Sequence, residues 1–374
     1  MKKYLFGIIA VAGIAGLMIC PTEAVSAGKE ALGMCFSSII PALLPFFVFS
    51  SLFVGFGFAE ITGKALGRVM RPVFNVSGAA ASAFILGIVS GFPVGAKTAI
   101  DLYRRGLCSK AETERTLAFC NNAGPAFVLG TVGVGIWSST RVGWLLWSAQ
   151  TAAAVITGIF FGLFWKGSDE FCPPSEAKRE RVVRFLPTLV NAVRDSAVSL
   201  VYISAFIVFF AIVIAMLSSF GIIPAAASFL AKIPFPLNSS DWEHLLSGIV
   251  EFTSGIKMIG AEEPFRRSLT LTAAVLGWAG LSVHCQVLSY ISDAGISAKA
   301  YIVGKFMQSG LSAAITYGLS FVVSVPTSAK AFAAFAQTPT SVAGTPLFPA
   351  FSGLVAIASL LLFLAFSATV QNGK

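Results

Sequence analysis

Gly87-Ile88-Val89-Ser90-Gly91-Phe92-Pro93-Val94-Gly95-Ala96-Lys97 closes an apolar stretch that begins at Gly78. Basic segments flank that stretch, with Lys64, Arg68 and Arg71 before it and Lys97, Arg104, Arg105, Lys110 and Arg115 at its end and beyond. Lys and Arg collect in cytoplasmic loops, so both flanks are placed inside. An apolar stretch whose two ends lie on one side of a membrane must enter and return. Its centre, Ser90 to Pro93, holds the Gly and Pro that break a helix, and irregular backbone is tolerated at membrane depth only where it lines a cavity. Residues 78–97 therefore read as a re-entrant hairpin.

The rest of the chain supports a bilayer setting. Of 374 residues, 56% are hydrophobic and 11% are charged, whereas a soluble domain carries roughly 25% charged residues. The apolar residues form blocks at Tyr4 to Cys20, Cys35 to Phe58, Val142 to Trp165, Ala197 to Phe220, Ser268 to Ile291, Ile296 to Val323 and Leu347 to Val370. Each is near the ~20 residues of a membrane-crossing helix and lacks the alternation of a barrel strand. The fold expected is all-α and polytopic, with about eight transmembrane helices plus two re-entrant hairpins. Lys2 and Lys3 place the N-terminus in the cytoplasm. Val25-Ser26-Ala27 resembles a signal-peptidase site, but we read the first helix as uncleaved.

The net charge of +9 comes from basic residues in short loops, not from one basic face with interleaved aromatics, so no nucleic-acid partner is expected. Six cysteines without a CxxC pair and only two histidines give no structural metal site.

The second half repeats the plan of the first. Phe46-Phe47-Val48-Phe49 leads to Gly87-Ile88-Val89, and Phe206-Ile207-Val208-Phe209 leads to Gly248-Ile249-Val250 at nearly the same spacing. Each Gly-Ile-Val is followed by a small-residue break and a lysine, Lys97 or Lys257, and later by Ala123-Gly124 or Ala279-Gly280. An odd number of crossings between the units inverts the second. The expected organisation is an N-terminal transmembrane helix (1–34), a first repeat (35–165, hairpin 78–97, broken helix 116–137) and a cytoplasmic linker (166–190). A second repeat (191–325, hairpin 245–260, broken helix 268–291) and a C-terminal transmembrane helix (326–374) follow. Inverted hairpins and broken helices are the layout of secondary transporters with a midplane site.

Candidate site residues follow from that layout. The helix restarting after Gly91 and Pro93 points its N-terminus inward, with Lys97 in its first turn, and Thr253, Ser254 and Lys257 hold the matching places in the second hairpin. Two positive helix ends and two lysines facing one cavity would suit a small organic anion. The alternative is that both lysines snorkel to the interfaces. Glu251, an acidic residue in an apolar hairpin, suggests H⁺ or Na⁺ coupling, or else an ion pair with Lys257. Asn121 and Asn122 precede Gly124-Pro125, where a missing N–H frees carbonyls for a polar ligand. Ser282, His284 and Gln286 occupy the equivalent break. They face one way only if that stretch is extended, and His284 reads as a bundle residue.

The runs Gly91-Phe92-Pro93-Val94-Gly95-Ala96-Lys97, Cys120-Asn121-Asn122-Ala123-Gly124-Pro125 and Gly280-Leu281-Ser282-Val283-His284 followed by Gln286 resemble the sporulation integral membrane protein YlbJ family. That family lies among the nucleoside-recognition, or Gate, domain proteins, which are similar to concentrative nucleoside transporters. The resemblance implies a spore-forming bacterium and a role in endospore formation, in the cell membrane or a membrane around the forespore. The expected function is transport of a small polar, anionic organic solute, with a non-transporting scaffold for spore assembly as the alternative. The expected partners are the lipid bilayer and a small-molecule solute, with self-association left open. No cofactor is expected, nor an enzyme: adjacent His284 and Cys285 diverge on a helix, and neither an HExxH nor a phosphate loop is present.

Overall fold

The computed structural model describes residues 2–165, 185–260 and 264–321. Most of the expected linker and all of the closing helix (326–374) lie outside the described residues. The described residues are helical and contain no strand. Helices α1 (Lys2–Ile19) and α2 (Pro21–Met34) open the chain. A π-helical turn (Cys35–Ile39) leads into α3 (Ile40–Gly55), followed by α4 (Phe58–Phe74). Then come α5 (Ala80–Val89), α6 (Val94–Arg104), α7 (Lys110–Leu117), a π-helix (Ala126–Ile136), α8 (Thr140–Phe164) and α9 (Phe185–Ser219). The second half adds α10 (Ile222–Leu230), α11 (Ser239–Val250), α12 (Phe252–Ile259), α13 (Phe265–Trp278), α14 (Gly280–Asp293) and α15 (Lys299–Leu319).

Among the described residues, three segments are long and apolar enough to cross a bilayer: Thr140–Phe164, Phe185–Ser219 and Phe265–Asp293. A fourth arises if α1 and α2 form one bent span. The N-terminal region differs from the single helix expected over 1–34. The chain turns by 99° at Cys20, where Pro21 enters the first turn of α2 and ends the hydrogen-bond ladder of α1. Beyond the turn, α2 packs along α9.

Each segment expected to be a hairpin contains a pair of packed helices. In the first, α5 and α6 are joined by Ser90 to Pro93. In the second, α11 and α12 meet at the single extended residue Glu251 (φ −140°, ψ 113°). The recurrent Gly-Ile-Val has a packing explanation. Gly87 faces Gly95 across the first pair and Gly248 faces Gly255 across the second, and a Cβ at any of the four would run into opposing backbone or side chain. Small residues let helices approach this closely in lipid. Helices α7 and α11 start from capping boxes, Ser109 with Glu112 and Asn238 with Asp241, which satisfy the first backbone N–H groups after polar loops.

One large apolar core runs through α4 to α8 and α11 to α14, with Tyr301 of α15 buried in it. Helix α15 lies against α8 and α13. Its Gly304 sits on Ala118 just beyond α7, and Gly277 of α13 sits on the backbone of Ser309. These close approaches set α15 beside both halves of the described chain.

Candidate functional site

Each broken helix receives a hairpin tip. In the first half the break runs from Ala118 to Pro125, between α7 and the π-helix. Gly91 adopts φ +88°, open to glycine at little cost, and a Cβ there would lie 2.6 Å from the amide nitrogen of Gly124. The tip is also tied to α3 by a hydrogen bond between the hydroxyls of Ser50 and Ser90. In the second half the break is the pair Ala279 (φ +81°) and Gly280 (φ +77°). A Cβ on Gly280 would lie 2.8 Å from the amide nitrogen of Phe252, at the second tip.

The two tips and two breaks converge on a buried cavity of about 40 Å³, room for a few water molecules. Gly91 and Phe92 come from the first tip, Phe252 and Thr253 from the second, Ala123, Gly124 and Phe127 from the first break, and Ser282, Val283 and Gln286 from the second. Apolar residues of the Cys35–Ile39 turn, α3 and α9 close it. Phe252 packs on Phe92 at 5.4 Å and on Phe127 at 5.1 Å between ring centroids. Polarity enters through Thr253, Ser282 and Gln286, and the Ser282 hydroxyl is buried without a hydrogen-bond partner among the described residues. Because α14 is helical from residue 280, Ser282 and Gln286 stand four residues apart on one face, and His284 points elsewhere.

A second cavity, about 590 Å³, lies on the other side of the first tip between α3, α6 and α9. This is the size of a small-molecule site. Pro93, Val94 and Lys97 line it, along with Ser50, Ser51 and Asn191. Lys97, Arg105 and Arg194 outnumber Asp101 and Asp195 on its walls. Sequence reasoning missed this chamber because its residues come from three helices spread along the chain from Phe47 to Ser199.

The expectation that Lys97 and Lys257 face one cavity is corrected. Lys97 lines the larger chamber, while Lys257 pairs with Glu30 of α2 with both side chains more than half exposed. The reason is helical geometry: α12 resumes at Phe252, so Lys257 stands more than a turn from the tip. Glu251 does not pair with Lys257 either. Its buried carboxylate caps α12, accepting from the N–H groups of Thr253 (3.0 Å) and Ser254 (2.7 Å) and from the Ser254 hydroxyl (2.8 Å). Charge at this N-terminus is met by the helix dipole and three donors.

Asn121 and Asn122 are fully buried but do not line the small cavity; α15 engages both. Lys305, 1% exposed, donates from Nζ to the Asn121 main-chain carbonyl (2.9 Å) and to Oε1 of Gln308 (2.8 Å). Gln308 Nε2 donates to Oδ1 of Asn122 (2.6 Å), whose own amide donates to the carbonyl of Phe119 (2.9 Å). The Asn121 amide reaches the Tyr301 hydroxyl (3.5 Å), which in turn meets Nδ1 of His284 (2.8 Å). Phe92 of the first tip presents its ring to the Lys305 ammonium at 5.6 Å. The sequence signal that could have found Lys305 was its position: it is the one charge beyond Lys299 in the apolar block Ile296 to Val323, and a charge within a membrane segment marks function by default.

With this geometry established, known proteins supply a frame. Residues 36–164 match the Gate family, described as nucleoside recognition. The Gate region thus holds the first hairpin, the first broken helix and α8. Over most of its length the chain is 28% identical to the sporulation integral membrane protein YlbJ of Bacillus subtilis (strain 168), covering 79% of this chain and 77% of the relative. A solved structure of a doubly substituted CNTnw in an outward-facing state superposes with a TM-score of 0.53 at 18% identity, covering 87% of this chain and 86% of the other. The chain therefore shares the CNTnw fold and is an all-α membrane protein with a Gate-like region.

Proposed function

We propose that the protein moves a small polar, anionic organic solute across a bacterial membrane during endospore formation. One observation carries this reading: two hairpin tips and two helix breaks, from opposite halves of the chain, enclose one buried cavity with an unpartnered Ser282 hydroxyl. Helix breaks cost backbone hydrogen bonds, and bundles keep them where a solute replaces those partners. The basic surplus of the larger chamber favours an anion at the entry. The two units are proposed to be inverted, with the first hairpin opening inward. The small cavity is too tight for an organic solute, which fits an occluded arrangement that widens as a tip withdraws.

The YlbJ relative supports the sporulation setting, and the Gate description makes a nucleoside the competing solute. Counterflow in reconstituted vesicles with labelled succinate and labelled uridine separates these. Succinate exchange with little uridine exchange supports the anionic reading, and the reverse replaces it with a nucleoside. Absence of counterflow for both, and for a metabolite mixture from sporulating cells, would favour the scaffold.

A further inference from the structure

The tip of the first hairpin is a wall between two cavities. Gly91 and Phe92 line the small one, Pro93 and Val94 the large one. A solute crossing this wall from one to the other would need the tip to leave its seat on the first helix break. The wall is held by the Ser50 to Ser90 hydrogen bond, by the close fit of Gly91 on Gly124, and by the Phe92 ring facing the Lys305 ammonium.

Lys305 touches both sides of that seat. Its Nζ donates to the carbonyl of Asn121 in the broken helix and faces Phe92 of the hairpin, with Gln308 of its own helix as the other acceptor. Among the described residues no carboxylate bonds to it, so its charge is held by a carbonyl dipole, an amide oxygen and a π face. The titratable groups near it are Cys120 in the break, Tyr301 one turn earlier on α15 and, behind Tyr301, His284 of α14. The first hairpin contributes the Phe92 ring. The ammonium is therefore a tethered cation at a helix break.

We infer that Lys305 is the proton-binding site of this transporter and that its proton latches the first hairpin tip to the broken helix. This deepens the transport reading and rests on it, and it assigns coupling to H⁺ on Lys305 rather than to a cation on Glu251. With the proton on, the ammonium holds the Asn121 carbonyl and the Phe92 face together. With the proton off, the neutral amine gives up the cation-π contact and the charge-assisted bond, which are the strong ones, and the tip is free to move. A lysine can alternate in this way, whereas an arginine stays charged. Glu251, by contrast, has its carboxylate engaged by its own helix end.

The test is backbone hydrogen exchange of the full-length protein in lipid nanodiscs between pH 6 and pH 9.5, corrected for the intrinsic rate at each pH. The parent, Lys305→Arg and Lys305→Met are compared in peptides covering 88–98 and 118–126. Parent protection in both peptides is expected to fall about tenfold toward alkaline pH. The arginine variant should keep the acid-side protection throughout, and the methionine variant should show the alkaline level throughout. Parallel pH profiles for parent and Lys305→Arg, or a flat parent profile, overturn the proposal. Should the methionine variant fail to fold, the arginine comparison alone decides. This measurement needs no solute, so it fails independently of transport. Counterflow of succinate and uridine by the parent tests the transport reading, and loss of proton-driven accumulation with retained counterflow in Lys305→Arg is the matching functional result.

Discussion

The Lys305 ammonium lies 2.9 Å from the carbonyl oxygen of Asn121, joining α15 to a helix break 184 residues earlier in the chain. Gln308 completes the arrangement by accepting from Lys305 and donating to Asn122. Replacing Gln308 by leucine leaves a buried ammonium short of an acceptor, at a cost of about 1.5 to 3 kcal/mol. The thermal midpoint of Gln308→Leu in detergent should fall accordingly. Adding Lys305→Met should recover part of the loss, because no orphaned charge remains. Strict additivity of the two substitutions would show that the residues are not coupled.

At the first tip, Gly91→Ala combines a left-handed backbone, which costs an L-residue about 1 to 2 kcal/mol, with a methyl group pressed on the Gly124 backbone. The expected result is faster hydrogen exchange confined to the hairpin and the break, with α8 unaffected. A variant as protected as the parent would mean that the seat is looser than its geometry indicates.

Glu251→Gln keeps an acceptor oxygen for the start of α12 and removes the charge. If the coupling proton rides on Lys305, this variant should fold and retain proton-driven uptake in vesicles. Glu251→Ala should lose the cap and about 0.5 to 2 kcal/mol of stability. Well-folded Glu251→Gln protein that has lost only gradient-driven accumulation would return the coupling role to Glu251.

Ser282→Ala and Gln286→Ala should each raise the apparent Michaelis constant for the transported solute, because both side chains line the enclosed cavity. Lys257→Gln, altering an exposed pair with Glu30, should leave that constant within about twofold, since such pairs contribute little. A large rise with Lys257→Gln would place that lysine on the solute path after all.

Cys108, in the loop between α6 and α7, is buried and shares a hydrogen bond with Ser77 (3.2 Å). Loss of hydration pushes its thiol up to about 12, against a smaller opposing effect of the Ser77 bond. Its thiolate is therefore scarce at pH 8 and grows only in strong alkali, so alkylation should be negligible at pH 8 in the folded protein and rapid after denaturation. Fast labelling at pH 8 without unfolding would show the loop to be open.

Much of the fold was legible because lipid imposes simple rules. Apolar blocks, loop charges and a Gly-Pro break at Gly91 and Pro93 pointed to a helical membrane bundle with hairpins. The matched Gly-Ile-Val runs located both hairpins, although the reason, glycine facing glycine across each pair, needed three dimensions. The site was less legible. Which way Asn121, His284 or Lys257 points depends on helix phase and on what α15 and α2 bring to meet them, and residue type cannot supply that. Lys305 went unnoticed in the sequence although it is a charge within an apolar block, and its partners were beyond reach because the contact spans 184 residues of chain.

The same separation sets an order of events during synthesis. At roughly 5 to 20 residues per second, about 10 to 40 s pass between polymerisation of Asn121 and that of Lys305. Throughout that interval the first helix break is in or near the bilayer with its carbonyl and the Asn122 amide oxygen lacking their later partners. The Gate region must wait, shielded by water, lipid headgroups or the insertion machinery, until α15 arrives. A chain that ends before α15 would thus keep an unfinished first helix break, exposed to quality-control proteases by its own unsatisfied polar groups.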